Sequence, residues 1–147
     1  KKHSVCKELV QNIDLAPTFL SLAGVEVPKE MSGRSLLPLF KNGKAENWRN
    51  ELYYHFYDYP AVGSVRKHDG IRTKRYKLIH WHGEGSGNDE AIDFWELYDL
   101  KNDPAEMYNI YGQPGTEEVT AELKTTLLDL QQQYNDPVRF GPERDKE

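Results

Sequence analysis

The sequence has one cysteine, Cys6, among 147 residues, and only two methionines. A single thiol closes no internal disulfide, so the fold must rest on packing; the redox compartment stays open, because a secreted enzyme can lack bridges. No apolar run approaches the roughly 20 residues that span a bilayer. The chain opens on Lys1-Lys2-His3 with neither an initiator Met nor a signal-like apolar stretch, and from this we expect a piece of a longer protein. Basic charge is short as well. With 19 Lys and Arg against 24 Asp and Glu the formal net charge is −5, which argues against a nucleic-acid surface. Lys74, Arg75 and Lys77 still form a local positive patch suited to an anionic sugar.

What the sequence does have is aromatic density: nine Tyr, five Phe and three Trp. Tyr76-Lys77-Leu78-Ile79-His80-Trp81 reads as a strand with Tyr76, Leu78 and His80 on one face and Lys77, Ile79 and Trp81 on the other. Trp95 to Leu100 alternates in the same way. Leu52 to Tyr57 is a further strand. Val65 to His68 is expected to pair with Ile71 to Thr73 across an Asp69-Gly70 turn, a dipeptide that readily supplies positive φ. The next turn, Lys74-Arg75, has no such residue and must be held by its flanking strands or a wider loop.

Ahead of this sheet, residues 4–10 read as a strand. A short helix over 14–23 follows, with Asp14 at its cap, Pro17 in its first turn and Gly24 ending it. Its apolar face, Leu15, Phe19, Leu22 and Ala23, has little to pack on within this chain and is expected to complete a preceding domain. Arg34 to Phe40 forms one or two helical turns. Gly83 to Ala91 is an exposed loop, and Asp103-Pro104 starts a short helical turn. Thr116 caps a last helix, 116–134, whose Val119, Leu123, Leu127, Leu130 and Tyr134 lie across the sheet. The expected fold is α+β. A small antiparallel sheet of about four strands, packed by a C-terminal helix over 46–137, follows a strand-helix segment over 1–45, and a flexible tail occupies 138–147.

Few residues point to chemistry. Cys6 lacks the neighbouring base or helix N-terminus that would activate a thiol. His80 and His82 share a strand face and could share a metal, but no further His or Cys follows at ligand spacing, so no metal is assigned. The aspartates are scattered, which leaves paired-carboxylate catalysis without support. Arg66-Lys67-His68-Asp69 differs, since two cations and a histidine at a hairpin tip suit a sugar hydroxyl or a sulfate.

Taken in order, several segments resemble the C-terminal portion of a formylglycine-dependent sulfatase of the alkaline-phosphatase-like superfamily. They are Val10 to Thr18, Ala23-Gly24-Val25, Gly33 to Leu39, Gly70 to Thr73, Arg75 to Ile79, and Glu96 to Leu100 with Asp103-Pro104. The stretch through Tyr59-Pro60 and Val65 to His68 is most similar to bacterial N-acetylglucosamine-6-sulfatase and heparan-type glycan sulfatases. The resemblance implies a preceding α/β catalytic domain as partner, a sulfated glycan as substrate, and a periplasmic or secreted location. It also implies calcium and a formylglycine made from Cys or Ser in Cys/Ser-x-Pro/Ala-x-Arg. Cys6-Lys7-Glu8-Leu9-Val10 is not that motif, so the chain is expected to carry neither cofactor and no catalytic residue. Substrate contact is the role that carries over, with His68 at the sugar ring and Arg66 and Lys67 near its anionic group. Two other readings stand beside this one: a stand-alone carbohydrate-binding module using Trp48, Trp81, Trp95 and the tyrosines as a stacking platform, and a purely structural cap.

Overall fold

A computed structural model describes residues 5–59, 64–83 and 90–136. The chain divides into two compact units, Lys1–Leu52 and Tyr53–Glu147. No helix among the described residues is long and apolar enough to cross a membrane.

In the first unit, residues 5–11 form no strand, contrary to expectation. Val5 is 85% exposed rather than packed in a sheet. A single 3₁₀ turn at Asn12–Asp14 leads into helix α1, Leu15–Leu22. Asp14 precedes α1 but does not cap it with its side chain. Fully buried, its carboxylate instead accepts from the Arg49 guanidinium at 2.6 and 2.9 Å, and from the backbone N–H groups of Arg34 and Gln11 at 2.8 Å each. Burial pushes this carboxyl up, but Arg49 and the two backbone donors outweigh it and hold the group below the usual carboxylate range.

Thr18 extends the hub, donating to the Asp14 carbonyl at 2.5 Å and accepting from Leu36 N at 2.9 Å. The buried positions of α1 are therefore Pro17 and Thr18. Its apolar Leu15, Phe19 and Leu22 stay largely exposed within this unit, as expected of a face with nothing to pack on. Gly24, at φ 69°, closes the helix in a conformation that glycine adopts without cost. Helix α2, Leu37–Asn42, follows.

The second unit is a four-stranded antiparallel sheet, with helix α3, Glu117–Gln133, packed on it. The strands are β1 (Glu51–Phe56, most of it in this unit), β2 (His68–Thr73), β3 (Tyr76–Gly83) and β4 (Ile92–Asp99), adjacent in that order. The α+β expectation holds. The expected Asp69-Gly70 turn does not: both residues lie inside β2, where Asp69 pairs with His80 and Gly70 with Ile79. Gly70 is there for space, because a Cβ at this position would stand 2.5 Å from the Tyr54 hydroxyl and 2.6 Å from the Leu78 carbonyl oxygen.

The real turn is Lys74-Arg75, and Thr73 holds it. Its hydroxyl accepts from the backbone N–H groups of Tyr76 (2.8 Å) and Arg75 (3.2 Å) and donates to the Tyr76 carbonyl (3.2 Å). Asp103-Pro104 makes turns rather than a helix, because Glu106 takes φ 55° and the Asp103 carboxylate accepts from Tyr108 N.

α3 contributes Leu123, Leu127 and Leu130 to a core with Ile71, Leu78 and Leu97 of the sheet. Thr116 stands at its N-cap, but its hydroxyl points backwards, donating to the carbonyls of Gln113 (2.7 Å) and Ile110 (3.3 Å). Residues 84–89 of the expected loop and the expected tail at 138–147 lie outside the described residues.

Candidate functional site

Alternation along the strands gives the two faces of the sheet different chemistry. On the face away from α3, an aromatic row crosses all four strands: Phe56, His68, Trp81 and Phe94. The ring centroids are 5.6, 4.5 and 6.0 Å apart in that order. Tyr54 meets His68 edge-on at 6.0 Å. Trp81 Nε1 donates to Glu96 at 2.8 Å, which fixes the indole in the row.

Of the expected substrate residues, His68 is second in this row, at the start of β2, with Arg66 and Lys67 just ahead of it in the chain. His68 opens β2, half-buried, and its Nδ1 stands 2.8 Å from the Arg66 carbonyl. A carbonyl only accepts, so Nδ1 carries the hydrogen and Nε2 of the neutral ring is left as an acceptor. The Arg66 guanidinium lies 4.5 Å over the Tyr59 ring and donates to the Glu90 carbonyl at 3.2 Å. Lys67 lays its stem along Gly83, where a Cβ would meet it at 3.5 Å. Trp81 and Trp95 fall on opposite faces of the sheet, so these two do not share one stacking platform. Trp95 stacks on His80 at 4.2 Å, under the Lys124 ammonium.

The face under α3 holds a buried cluster that sequence spacing did not reveal. His80 and His82 share this face as expected, and the β2–β3 register sets Asp69 beside them. Asp69 Oδ1 is 3.3 Å from His80 Nδ1 and 3.3 Å from His82 Nε2. Its other oxygen accepts from Gln131 Nε2 on α3. All four residues are at most 4% exposed. His80 Nε2 reaches Asp93 Oδ1 at 2.8 Å.

Next to this trio, Asp136 gathers the hydroxyls of Tyr53 and Tyr57 (the latter at 3.0 Å) and His55 Nδ1 at 2.7 Å. The His55 ring meets that of His82 edge-on at 5.6 Å. Asp69 was discoverable in the sequence. Once Lys74-Arg75 is taken as the turn, counting back along both strands sets Asp69 opposite His80. Reading Asp69-Gly70 as a turn hid this.

Residues 1–133 match the family described as N-sulphoglucosamine sulphohydrolase, C-terminal. The chain belongs to this family. It is 46% identical over 138 residues to N-acetylglucosamine-6-O-sulfatase of Bacteroides thetaiotaomicron, a match covering 92% of this chain and 24% of the relative. It is 33% identical over 156 residues to human arylsulfatase A, covering 94% and 29% respectively. Among solved structures, one in complex with its substrate D-glucosamine-2-N,6-O-disulfate superposes with a TM-score of 0.76 at 46% identity, covering 91% of this chain and 25% of the other. The sulfatase resemblance drawn from the motifs is therefore borne out. The chain spans about a quarter of the length of these relatives.

The family's sulfatases imply calcium and formylglycine. Calcium takes six to eight oxygen ligands, and the Asp69–His80–His82 cluster offers one carboxylate and two imidazoles, so these residues do not fit it. Cys6, exposed and donating its thiol to the Gly43 carbonyl at 3.1 Å, sits in irregular chain outside any formylglycine motif.

Proposed function

We propose that this chain is the C-terminal part of a sulfatase that hydrolyses sulfate esters on glycans, and that its sheet subdomain completes the fold and edges the substrate pocket. The observation that carries the proposal is the 46% identity to N-acetylglucosamine-6-O-sulfatase across nearly the whole chain. In this reading the partner is a catalytic domain that supplies the calcium and the formylglycine, and no catalytic residue comes from this chain. The exposed Leu15, Phe19 and Leu22 of α1 form the face that such a domain would cover. A periplasmic or secreted location follows from the same reading, as does a boundary near residue 45 between the catalytic portion and the sheet subdomain.

Substrate contact falls to His68, with Arg66 and Lys67 beside it. His68 Nε2 offers a lone pair to a sugar hydroxyl, and the Phe56–Trp81 row holds the ring in place. Lys67 brings a cation toward a sulfate or carboxylate. In the enzyme carrying this sequence after its catalytic domain, His68→Ala should lower kcat/KM on a 6-O-sulfated N-acetylglucosamine by about 5- to 150-fold, equivalent to roughly 1–3 kcal/mol. An unchanged kcat/KM would dismiss His68. The 147-residue chain alone should show no sulfatase turnover with calcium, and measurable turnover would refute the division of labour.

The aromatic row Phe56–His68–Trp81–Phe94 also supports a second reading, a surface that binds sugars by stacking without a catalytic partner. Calorimetry of the isolated chain against sulfated glucosamine decides between the two. Saturable binding favours the module, and its absence favours the pocket edge.

A further inference from the structure

We propose that Asp69, His80 and His82 form a binding site for a divalent transition metal, zinc above all, buried between the sheet and α3. The ligand atoms of the three all lie within 4.8 Å of one another. Asp69 Oδ1 is 3.3 Å from each imidazole nitrogen. For zinc bonds of about 2.0–2.1 Å, the edge of a tetrahedron of ligands is about 3.3–3.4 Å long. Oδ1 is buried and accepts no aligned hydrogen bond from any described residue, although two nitrogens stand beside it. Such an arrangement asks for a cation among the three atoms. A carboxylate oxygen with two imidazole nitrogens is a donor set for zinc or its neighbours and not for calcium or magnesium.

The surroundings independently point to a ligand. Asp93 only accepts, so the 2.8 Å contact to His80 Nε2 places the ring hydrogen there and turns the Nδ1 lone pair toward Asp69. A carboxylate that fixes the tautomer of a histidine in this way is the usual outer support of a zinc ligand. The second Asp69 oxygen is held by Gln131, which orients the carboxylate from α3. His55 is built alike: Asp136 holds its Nδ1 at 2.7 Å, leaving Nε2 buried with no hydrogen-bond partner among the described residues, in a ring beside His82. A bound ion would tie β2 to β3 directly and to α3 through Gln131. Its role would be structural, far from Cys6 in sequence and on the face opposite His68.

The test uses the tag-free 147-residue chain with Cys6→Ser, stripped with a chelator and shown to be folded by circular dichroism. Zinc is titrated by calorimetry, and cobalt(II) by its visible absorption. One equivalent of each is expected, with the intense bands of four-coordinate cobalt, a higher melting temperature, and no response to calcium. Asp93→Asn, a change at an exposed side chain, should weaken zinc binding by about 10- to 100-fold without altering the dichroism. His82→Asn should abolish it. The proposal is overturned if the folded wild-type chain binds no zinc, if calcium binds in its place, or if zinc binds equally well to Asp93→Asn and His82→Asn.

Discussion

Leu127 and Gln131 lie one helical turn apart on α3, both fully buried against the same sheet, and they meet opposite chemistry. Leu127 joins Ile71, Leu78 and Leu97 in an apolar core. Gln131 donates to Asp69, behind which stand His80 and His82. The apolar end is non-directional, and apolar side chains of similar volume would serve it. At the polar end, geometry matters as much as volume, because a buried carboxylate left with no partner at all is costly. One helix face thus divides into a part that supplies stability and a part that supplies arrangement.

The largest effect that separates these ends is at Leu127. Leu127→Ala removes buried methyl groups from a site that cannot collapse easily, and should cost about 2–5 kcal/mol in urea unfolding. The loss should be the same at every pH between neutral and mildly alkaline, since no titratable group is involved. A loss below about 1 kcal/mol would mean that α3 is loosely docked. Gln131→Ala probes the other end. It removes the Gln131 hydrogen bond to the Asp69 carboxylate, so it should cost about 1–3 kcal/mol. If Gln131→Ala instead matched Leu127→Ala, the polar cluster would be as central to stability as the core, and the distinction would fail.

The apolar end was legible in the sequence, and the polar end was only half so. Period-two alternation from Tyr76 to Trp81 put Leu78 and His80 on one face, and helical spacing put Leu123, Leu127 and Leu130 on another; burying both sets together needs no further information. On the opposite face the same alternation set Trp81 away from His80, but it did not place His68, which opens β2 where a turn was expected. A search along the sequence for a third ligand to His80 and His82 failed because the partner comes from pairing across strands, a relation between residues 69 and 80 that spacing within one segment does not encode. Asp69-Gly70 also carries a strong turn signal, and it was overridden by the contact of Gly70 with Tyr54 and Leu78, which only the packed sheet creates. Residues 5–10 form no strand for a related reason, since strand propensity without a partner strand forms no ladder.

The smallest effect is the most diagnostic. Tyr53 donates to Asp136 from inside the unit, with His55, Tyr57 and, further off, Asp69 around it and Tyr134 stacked on its ring at 5.9 Å. Burial, then the hydrogen bond to Asp136 and the negative charges of Asp136 and Asp69, push the phenol well above its ordinary value of 10.0. The sign follows directly. Above pH 10 the unfolded chain gives up this proton while the folded chain keeps it, so the folded state holds more protons and stability falls as pH rises. Below pH 10 both states are protonated, and the contribution is fully present. Tyr53→Phe should therefore cost little at pH 7, about 0.5–1.5 kcal/mol, because His55 and Tyr57 still serve Asp136. The variant should also lose stability less steeply than the wild type above pH 10. Parallel alkaline slopes would show that the Tyr53 hydroxyl is not the group that couples this cluster to pH. Leu127→Ala, by contrast, should keep the wild-type slope while lowering the whole curve, so one pair of pH titrations separates the apolar end of α3 from the polar one.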